Sequence, residues 1–288
     1  MSEKTQVGGL WFGPLDYEQC SHVEKWDTFG VIEIDDPADP RLDDFRDLST
    51  ADRRPDRPGG RGLVIAEGVV VVERLLASPY PVRAFLGVRR RIEALGDLPA
   101  PAYVASADVM AEVVGFHLNR GVLAAADRAP QPAAGELART ARRLAVLEGV
   151  GDHENLGSLF RNAAALGIDG VLLGPGCSDP LYRRSVRVSM GHVLRVPFAH
   201  LPDLAGGMDM LRHNGFTVAA LTPRPSATSL ADAGLRHRRV AVLLGSEGPG
   251  LTEEAIAAAD VAVRIPMASG VDSLNVATAA AIAFYAIA

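Results

Sequence analysis

Between Arg61 and about Arg128, short apolar runs alternate with amphipathic ones. "GLVIAEGVVVVERLLASP" reads as a strand that turns at Glu67-Gly68 into a helix, and "VRAFLGV" and "PAYVAS" read as a second and a third strand. "ADVMAEVVGF" reads as a helix begun by Ser106 or Asp108 and stopped near Gly115, with "RGVLAAAD" as a last strand. Strands alternating with helices predict a helix-covered sheet.

After a linker or helix lead-in, "APQPAAGEL", the pattern starts again. Apolar runs predict strands at "LAVLEGV", "GVLLGP", "VLRVPF", "FTVAALT", "RVAVLLGS" and "VAVRIP". Helical spacing falls between most of them: Leu156–Leu166, Leu181–Ser189, around Leu204–Arg212, and Thr252–Ala258. Strands that are apolar on both faces predict a parallel sheet covered on both sides. The run after Asn275 is apolar all round, which marks a buried helix. It is long enough to suggest a membrane span, but it is mostly alanine and opens on polar residues, so a core or interface helix is expected instead. The expected fold class is α/β, with one unit over residues 61–130 and a larger parallel-sheet unit over 140–288.

The segment before Arg61 differs in character. "DDPADPRLDDFRDLSTADRRPDRPGG" is rich in Asp, Arg and Pro and predicts short helical turns and a linker. The aromatic-containing stretch before it predicts a loose extension, or a start site assigned too early with the real start near Val31. Residues 1–60 as a whole are therefore expected to be an extension and linker.

Composition narrows the class. Hydrophobic residues make up 48% and charged residues 22% of the 288 positions, a globular rather than a disordered balance. The net charge of −6 is uneven: residues 1–60 hold 14 of the 35 Asp+Glu but only 7 of the 29 Lys+Arg. The remainder is close to neutral, so a nucleic-acid surface would have to come from local basic patches. Cys20 and Cys177 lie far apart and form no C-x-x-C pair, which argues against a zinc site or a disulfide framework and for a reducing compartment. The first residues are polar and no signal peptide is expected. The histidines at 153, 192, 213 and 237 show no metal-ligand spacing.

Ligands of parallel α/β sheets bind beyond the carboxyl ends of the strands, and three loops there carry polar groups. The first is "GDHENLGSLFRNAAALG", in which Asn155 and Arg161 lie six residues apart, nearly two helical turns, on roughly one side. Taken alone, Asn155 reads as a helix cap and Arg161 as a surface cation. The second is "SEGPGL" after "VAVLLG". Its glycines let backbone approach a ligand, but it has neither the Lys-Ser/Thr of a phosphate loop nor the G-x-G-x-x-G of a dinucleotide site. The third is "IPMASGVDSLN" at the start of the last helix. Ser273 or Asp272 would cap that helix, and the polar groups left over would face something else.

Together, "NLGSLFRNAAALG", "LLGSEGPGL" and "IPMASGVDSLNVATAAAI" resemble the three motifs of the SpoU/TrmH-type RNA ribose 2′-O-methyltransferases of the SPOUT superfamily, in residue identity, order and spacing. The preceding unit, with "AEGVVVVERLL" and "GFHLNRGVLAAAD", is similar to the L30e-like substrate-binding domain that many members carry. One departure is Glu154, where the family often has a proline before the motif-one asparagine. The resemblance implies a deep trefoil knot in the C-terminal unit, S-adenosyl-L-methionine (AdoMet) bound bent within it, a homodimer and a cytoplasmic setting. It implies a catalytic set of Asn155, Arg161, Glu247, Ser273 and Asn275. It also implies cofactor contacts at Gly245, Ile265 and Leu274, with Leu221 and Thr222 lining the same slot. RNA would be held by arginine clusters: Arg89 and Arg90 (with Arg91) and Arg120 in the first unit, and Arg183, Arg184 and Arg187 (with Arg195) in the second. Ribosomal RNA is the expected substrate. The alternatives are transfer RNA or a non-catalytic knotted RNA-binding protein. A dinucleotide-dependent oxidoreductase would need the missing glycine fingerprint. No metal and no membrane partner are expected.

Overall fold

A computed structural model describes residues 30–48, 62–236 and 238–288. Cys20, His237 and the aromatic-containing extension lie outside the described residues.

The chain order is β1 (Val31–Glu33), β2 (Val64–Glu67), α1 (Val69–Leu76), β3 (Val82–Gly87), α2 (Arg89–Glu93), β4 (Ala102–Val104), α3 (Ala107–Val114) and β5 (Val122–Ala126) in the first unit. There follow α4 (Ala134–Thr140), β6 (Arg143–Glu148), α5 (His153–Ala165), β7 (Gly170–Leu173), α6 (Arg183–Val188), β8 (Phe198–His200), α7 (Leu204–His213) and β9 (Thr217–Leu221). The last elements are β10 (Thr228–Ser229), β11 (Val240–Gly245), α8 (Glu253–Ala258), β12 (Val261–Arg264) and α9 (Val276–Ile287).

The first unit is a five-stranded mixed sheet in the order β1-β4-β3-β5-β2. Strand β5 runs antiparallel to both β2 and β3, while β1 and β3 flank β4 in parallel. The expectation that all of residues 1–60 form an extension and linker is corrected here. Val31–Glu33 adds an edge strand to β4, and the turn Pro40–Phe45 buries Leu42 and Phe45 completely in the core under that sheet. The acidic composition concealed two core anchors placed three residues apart.

The second unit is a seven-stranded sheet in the order β10-β12-β9-β11-β6-β7-β8, with every pairing parallel. Its central strands are apolar on both faces, as the pattern predicts. The strand expected at "VLRVPF" is shorter than anticipated. Met190 and Gly191 take left-handed conformations, a 3₁₀ turn covers His192–Leu194, and pairing resumes only at Phe198, after Pro197, which has no N–H to give. Two helix starts are also corrected. Asp152, not Asn155, caps α5 by accepting from the N–H groups of Glu154 and Asn155. Asn275, not Ser273 or Asp272, caps α9.

No helix among the described residues is long and apolar enough to cross a membrane. Instead α9 packs its Val276, Ala280, Ala283, Phe284 and Ile287 against α5 and β11. Ile282 and Tyr285 remain on its exposed side. Helices α5 and α6 approach closely at Gly157. A Cβ there would lie 2.8 Å from the Ser185 carbonyl oxygen and 2.9 Å from Val188 Cβ. Overpacking of this kind costs about 1–3 kcal/mol. Gly157→Ala is therefore expected to lower the unfolding free energy from urea titration by that amount and to shift the midpoint down, and an unchanged midpoint would mean the helices separate freely.

The two units share one continuous apolar core, and polar contacts cross between them. Arg74 of α1 donates to the Met190 carbonyl, and Arg128 pairs with Asp179. Arg183 of α6 pairs with Glu67 at 3.0 Å and lies over the Phe116 ring, 4.4 Å from its centroid.

Candidate active site

The strand order turns at the centre of the second sheet. From β6 the chain moves outward through β7 to β8, then crosses to β9 on the other side, and β11 returns to fill the gap beside β6. Crevices beyond the carboxyl ends of strands at such reversals are the usual ligand sites of α/β sheets. Here the loops that follow β6, β9, β11 and β12 share that edge.

Asn275 joins three of them. Its amide Nδ2 donates to Asn155 Oδ1 at 2.8 Å, on the first turn of α5, and to Glu247 Oε1 at 2.6 Å, in the loop after β11. Its Oδ1 accepts from the N–H groups of Ala277 and Thr278, so the same side chain caps α9. Both amide protons and the carbonyl are thus committed. The loop carrying Glu247 is itself tightly folded. Gly250 N–H donates to the Ser246 carbonyl, and Gly248 and Gly250 hold left-handed backbone that a side chain would strain.

Beside this junction lies a cavity of about 550 Å³, within the range of roughly 300–1,000 Å³ common for small-molecule sites. All five predicted cofactor-contact residues line it: Leu221, Thr222, Gly245, Ile265 and Leu274. Glu247, Ser273 and Asn275 line it too. Gly245 is a point of closest approach, since a Cβ there would fall 2.2 Å from the Gly250 carbonyl carbon and 2.3 Å from the Leu251 nitrogen.

Asn155 and Arg161 are not among the lining residues. Asn155 reaches the site through Asn275, whereas Arg161 stands exposed farther along α5 with no hydrogen bond or ion pair to another described residue. Its charge is felt at His192: burial, then the nearby Arg74, Arg161 and Arg195 guanidinium groups, hold that imidazole below its ordinary value.

The arginines predicted to hold RNA divide. Arg90 is exposed, and Arg120 is half-buried with its side chain lying across Gly68. Arg89 is half-exposed and pairs with Glu33 and, at 3.7 Å, with Glu93. Arg184 pairs with Glu154, so the residue that departs from the family pattern ties α5 to α6. Arg183 is a correction. Its buried pair with Glu67 and its stacking on Phe116 make it a link between the two units rather than a free phosphate contact, and burial followed by neighbouring Arg187 lowers its pKa. A cluster of arginines in the sequence gave no sign that this helix meets another unit.

Two charged residues on the cavity wall were not singled out from the sequence, Arg224 and Glu253. Arg224 lies three residues past the end of β9, and Glu253 directly follows the Thr252 cap of α8. Only their position beside strand ends could have marked them. Burial pushes the Cys177 thiol pKa up, and Sγ rests 3.4 Å from the Leu147 carbonyl oxygen. Among the described residues, no group of three or more His, Cys, Asp or Glu side chains could hold a metal ion.

Comparison with known proteins places this geometry. Residues 142–285 match the model of the SpoU rRNA Methylase family. An uncharacterized tRNA/rRNA methyltransferase of Mycobacterium tuberculosis is 57% identical over 265 residues, covering 90% of this chain and 92% of its own. The fold is similar to that of an AdoMet-bound rRNA methyltransferase from Sinorhizobium meliloti, with TM-score 0.74, 23% identity, and coverage of 89% of this chain and 97% of that one. It is similar also to the SpoU methyltransferase AviRb from Streptomyces viridochromogenes, with TM-score 0.72, 22% identity, and coverage of 86% and 95%. The family match spans half the chain, and the mycobacterial relative is alike over nearly all of it. The chain therefore belongs to the SpoU rRNA methylase family.

Proposed function

We propose that the protein is an AdoMet-dependent RNA ribose 2′-O-methyltransferase acting on ribosomal RNA, working in the cytoplasm as a homodimer. The observation that carries this reading is the Asn275 junction. One side chain locks three loops, distant in sequence, at the wall of a single small-molecule cavity.

The residues present fit the cofactor. Leu221, Ile265 and Leu274 offer an apolar slot for an adenine ring, and Gly245 leaves backbone rather than side chain at the strand end. AdoMet, when bound, supplies an electrophilic methyl group. A ribose hydroxyl is a weak nucleophile at neutral pH and needs a positioned base or a strong local field. Arg161 makes no hydrogen bond or ion pair with another described residue, and a guanidinium is a poor proton acceptor, so it serves as a phosphate clamp and field source. Ser273, exposed on the cavity wall, orients the ribose, while Glu247 and Asn155 hold Asn275 in place. Positioning and electrostatics supply most of the rate.

The wider reading extends to the rest of the chain. The first unit acts as an L30e-like RNA-binding domain, with Arg90 and Arg120 on its accessible surface and Arg187 and Arg195 on the catalytic unit. Its fixed attachment through Glu67–Arg183 suits a structured ribosomal element better than a small transfer RNA. The exposed Ile282 and Tyr285 of α9 supply an apolar face for a second copy, and the C-terminal segment threads the knot known in the superfamily.

Incubating the full chain with methyl-labelled AdoMet and separated ribosomal and transfer RNA tests the proposal. Label is expected in ribosomal RNA, as an alkali-resistant dinucleotide. Label in transfer RNA alone would move the substrate, and none in either would leave a non-catalytic binder. Gly245→Ala is expected to weaken AdoMet binding at least about tenfold by forcing the Gly250–Leu251 backbone away. Equilibrium dialysis would check it, and unchanged affinity would detach this strand end from the site.

A further inference from the structure

The cavity wall carries little charge. Among its described lining residues Arg224 is the one cation, and Glu247 and Glu253 are the two anions. Glu247 is held by Asn275. Arg224 and Glu253 hold each other, the guanidinium donating to a carboxylate oxygen. Arg224 comes from the loop after β9 and Glu253 from the first turn of α8, so the pair bridges two separate walls. Their side chains are 39% and 78% exposed. A pair that open adds little to stability, so fold stability alone is a weak reason for it. It is also easily opened by a competing ligand.

The cofactor assigned above has one feature the rest of the cavity does not answer. Its amino-acid end carries a carboxylate and an ammonium on the same carbon. It needs a cation and an anion close together, and the wall offers one such pair. We propose that Arg224 and Glu253 form the subsite for this zwitterion, with Arg224 taking the α-carboxylate and Glu253 the α-ammonium. The proposal rests on the AdoMet reading of the cavity. In this arrangement the two side chains are already side by side before binding, so little ordering remains when the zwitterion replaces their mutual contact. Arg224 can present two nitrogens to a carboxylate, which gives the contact direction as well as charge.

The test compares two nucleosides by titration calorimetry on the full chain: S-adenosylhomocysteine, which keeps the amino-acid end, and 5′-methylthioadenosine, which lacks it. Wild type is expected to prefer S-adenosylhomocysteine by at least about tenfold, and Arg224→Gln or Glu253→Gln should each weaken that ligand by about tenfold. Methylthioadenosine affinity should not change. The double exchange Arg224→Glu with Glu253→Arg keeps an ion pair, so the thermal midpoint should hold while the preference for S-adenosylhomocysteine disappears. Equal losses for both nucleosides in the single variants, unchanged S-adenosylhomocysteine binding, or a double exchange that binds like wild type would each overturn the subsite. Equal affinity of the wild type for both nucleosides would overturn the subsite and leave the cofactor reading standing. Binding of neither would remove both.

Discussion

Arg161→Ala is expected to reduce single-turnover methyl transfer by about 10³-fold, the scale of removing a preorganised charge donor from a transition state, while AdoMet affinity stays within about twofold. The two effects separate because Arg161 does not line the cavity and makes no hydrogen bond or ion pair with another described residue. Its loss therefore leaves the cofactor wall and the α5–α9 packing in place. Arg161→Lys restores the charge but not the planar fork, and should recover only part of the rate. An independent readout comes from His192. Its imidazole is held low by burial and by Arg74, Arg161 and Arg195. Removing one of these cations moves its NMR titration midpoint up toward the ordinary value. A shifted His192 with unchanged turnover would take Arg161 out of the mechanism.

Asn275→Ala should damage both binding and chemistry. The variant loses the cap of α9, worth about 1 kcal/mol. It also loses the two donated bonds that hold Asn155 and Glu247 together. AdoMet affinity is expected to fall at least about tenfold and methyl transfer by about 10²–10³-fold, the range for losing one preorganised donor. Asn275→Asp separates the roles. It keeps the capping oxygen but faces the Glu247 carboxylate with a second one. Stability should be closer to wild type, while activity at pH 7 stays low and recovers partly as pH falls and one proton is shared between the two carboxylates. Equal activity of Asn275→Asp and wild type at pH 7 would show that the donated bonds are dispensable.

Much of the site was legible before the fold. Asn155, Arg161, Glu247, Ser273 and Asn275 were assigned through the resemblance of the three loops to the family's motifs, since the polar pattern alone allowed a cap and a surface cation for the first two; of the five, Glu247, Ser273 and Asn275 line the cavity. The resemblance assigned Gly245, Ile265 and Leu274, with Leu221 and Thr222, to one slot, and all five line the cavity. What was illegible was which of several adjacent polar groups performs a given role. Asp152 rather than Asn155 caps α5, and Asn275 rather than Ser273 caps α9, because a cap is chosen by backbone angles at one residue and several neighbours have suitable side chains. Arg183 illustrates the same limit. A basic helix face looks alike whether it meets water or a buried Glu67.

The sequence by itself determined the alternation of strands and helices in both units, the two-sided burial of the central strands and the three polar loops at their ends. These follow from side-chain periodicity, which acts over a few residues. Tertiary structure alone decided the rest. It brought Val31–Glu33 into the first sheet, set β11 between β6 and β9, turned Arg183 inward and placed Arg224 against Glu253 on the cavity wall. Each of these joins residues remote along the chain, and their pairing is selected by the packing of whole elements against one another, which local pattern does not encode.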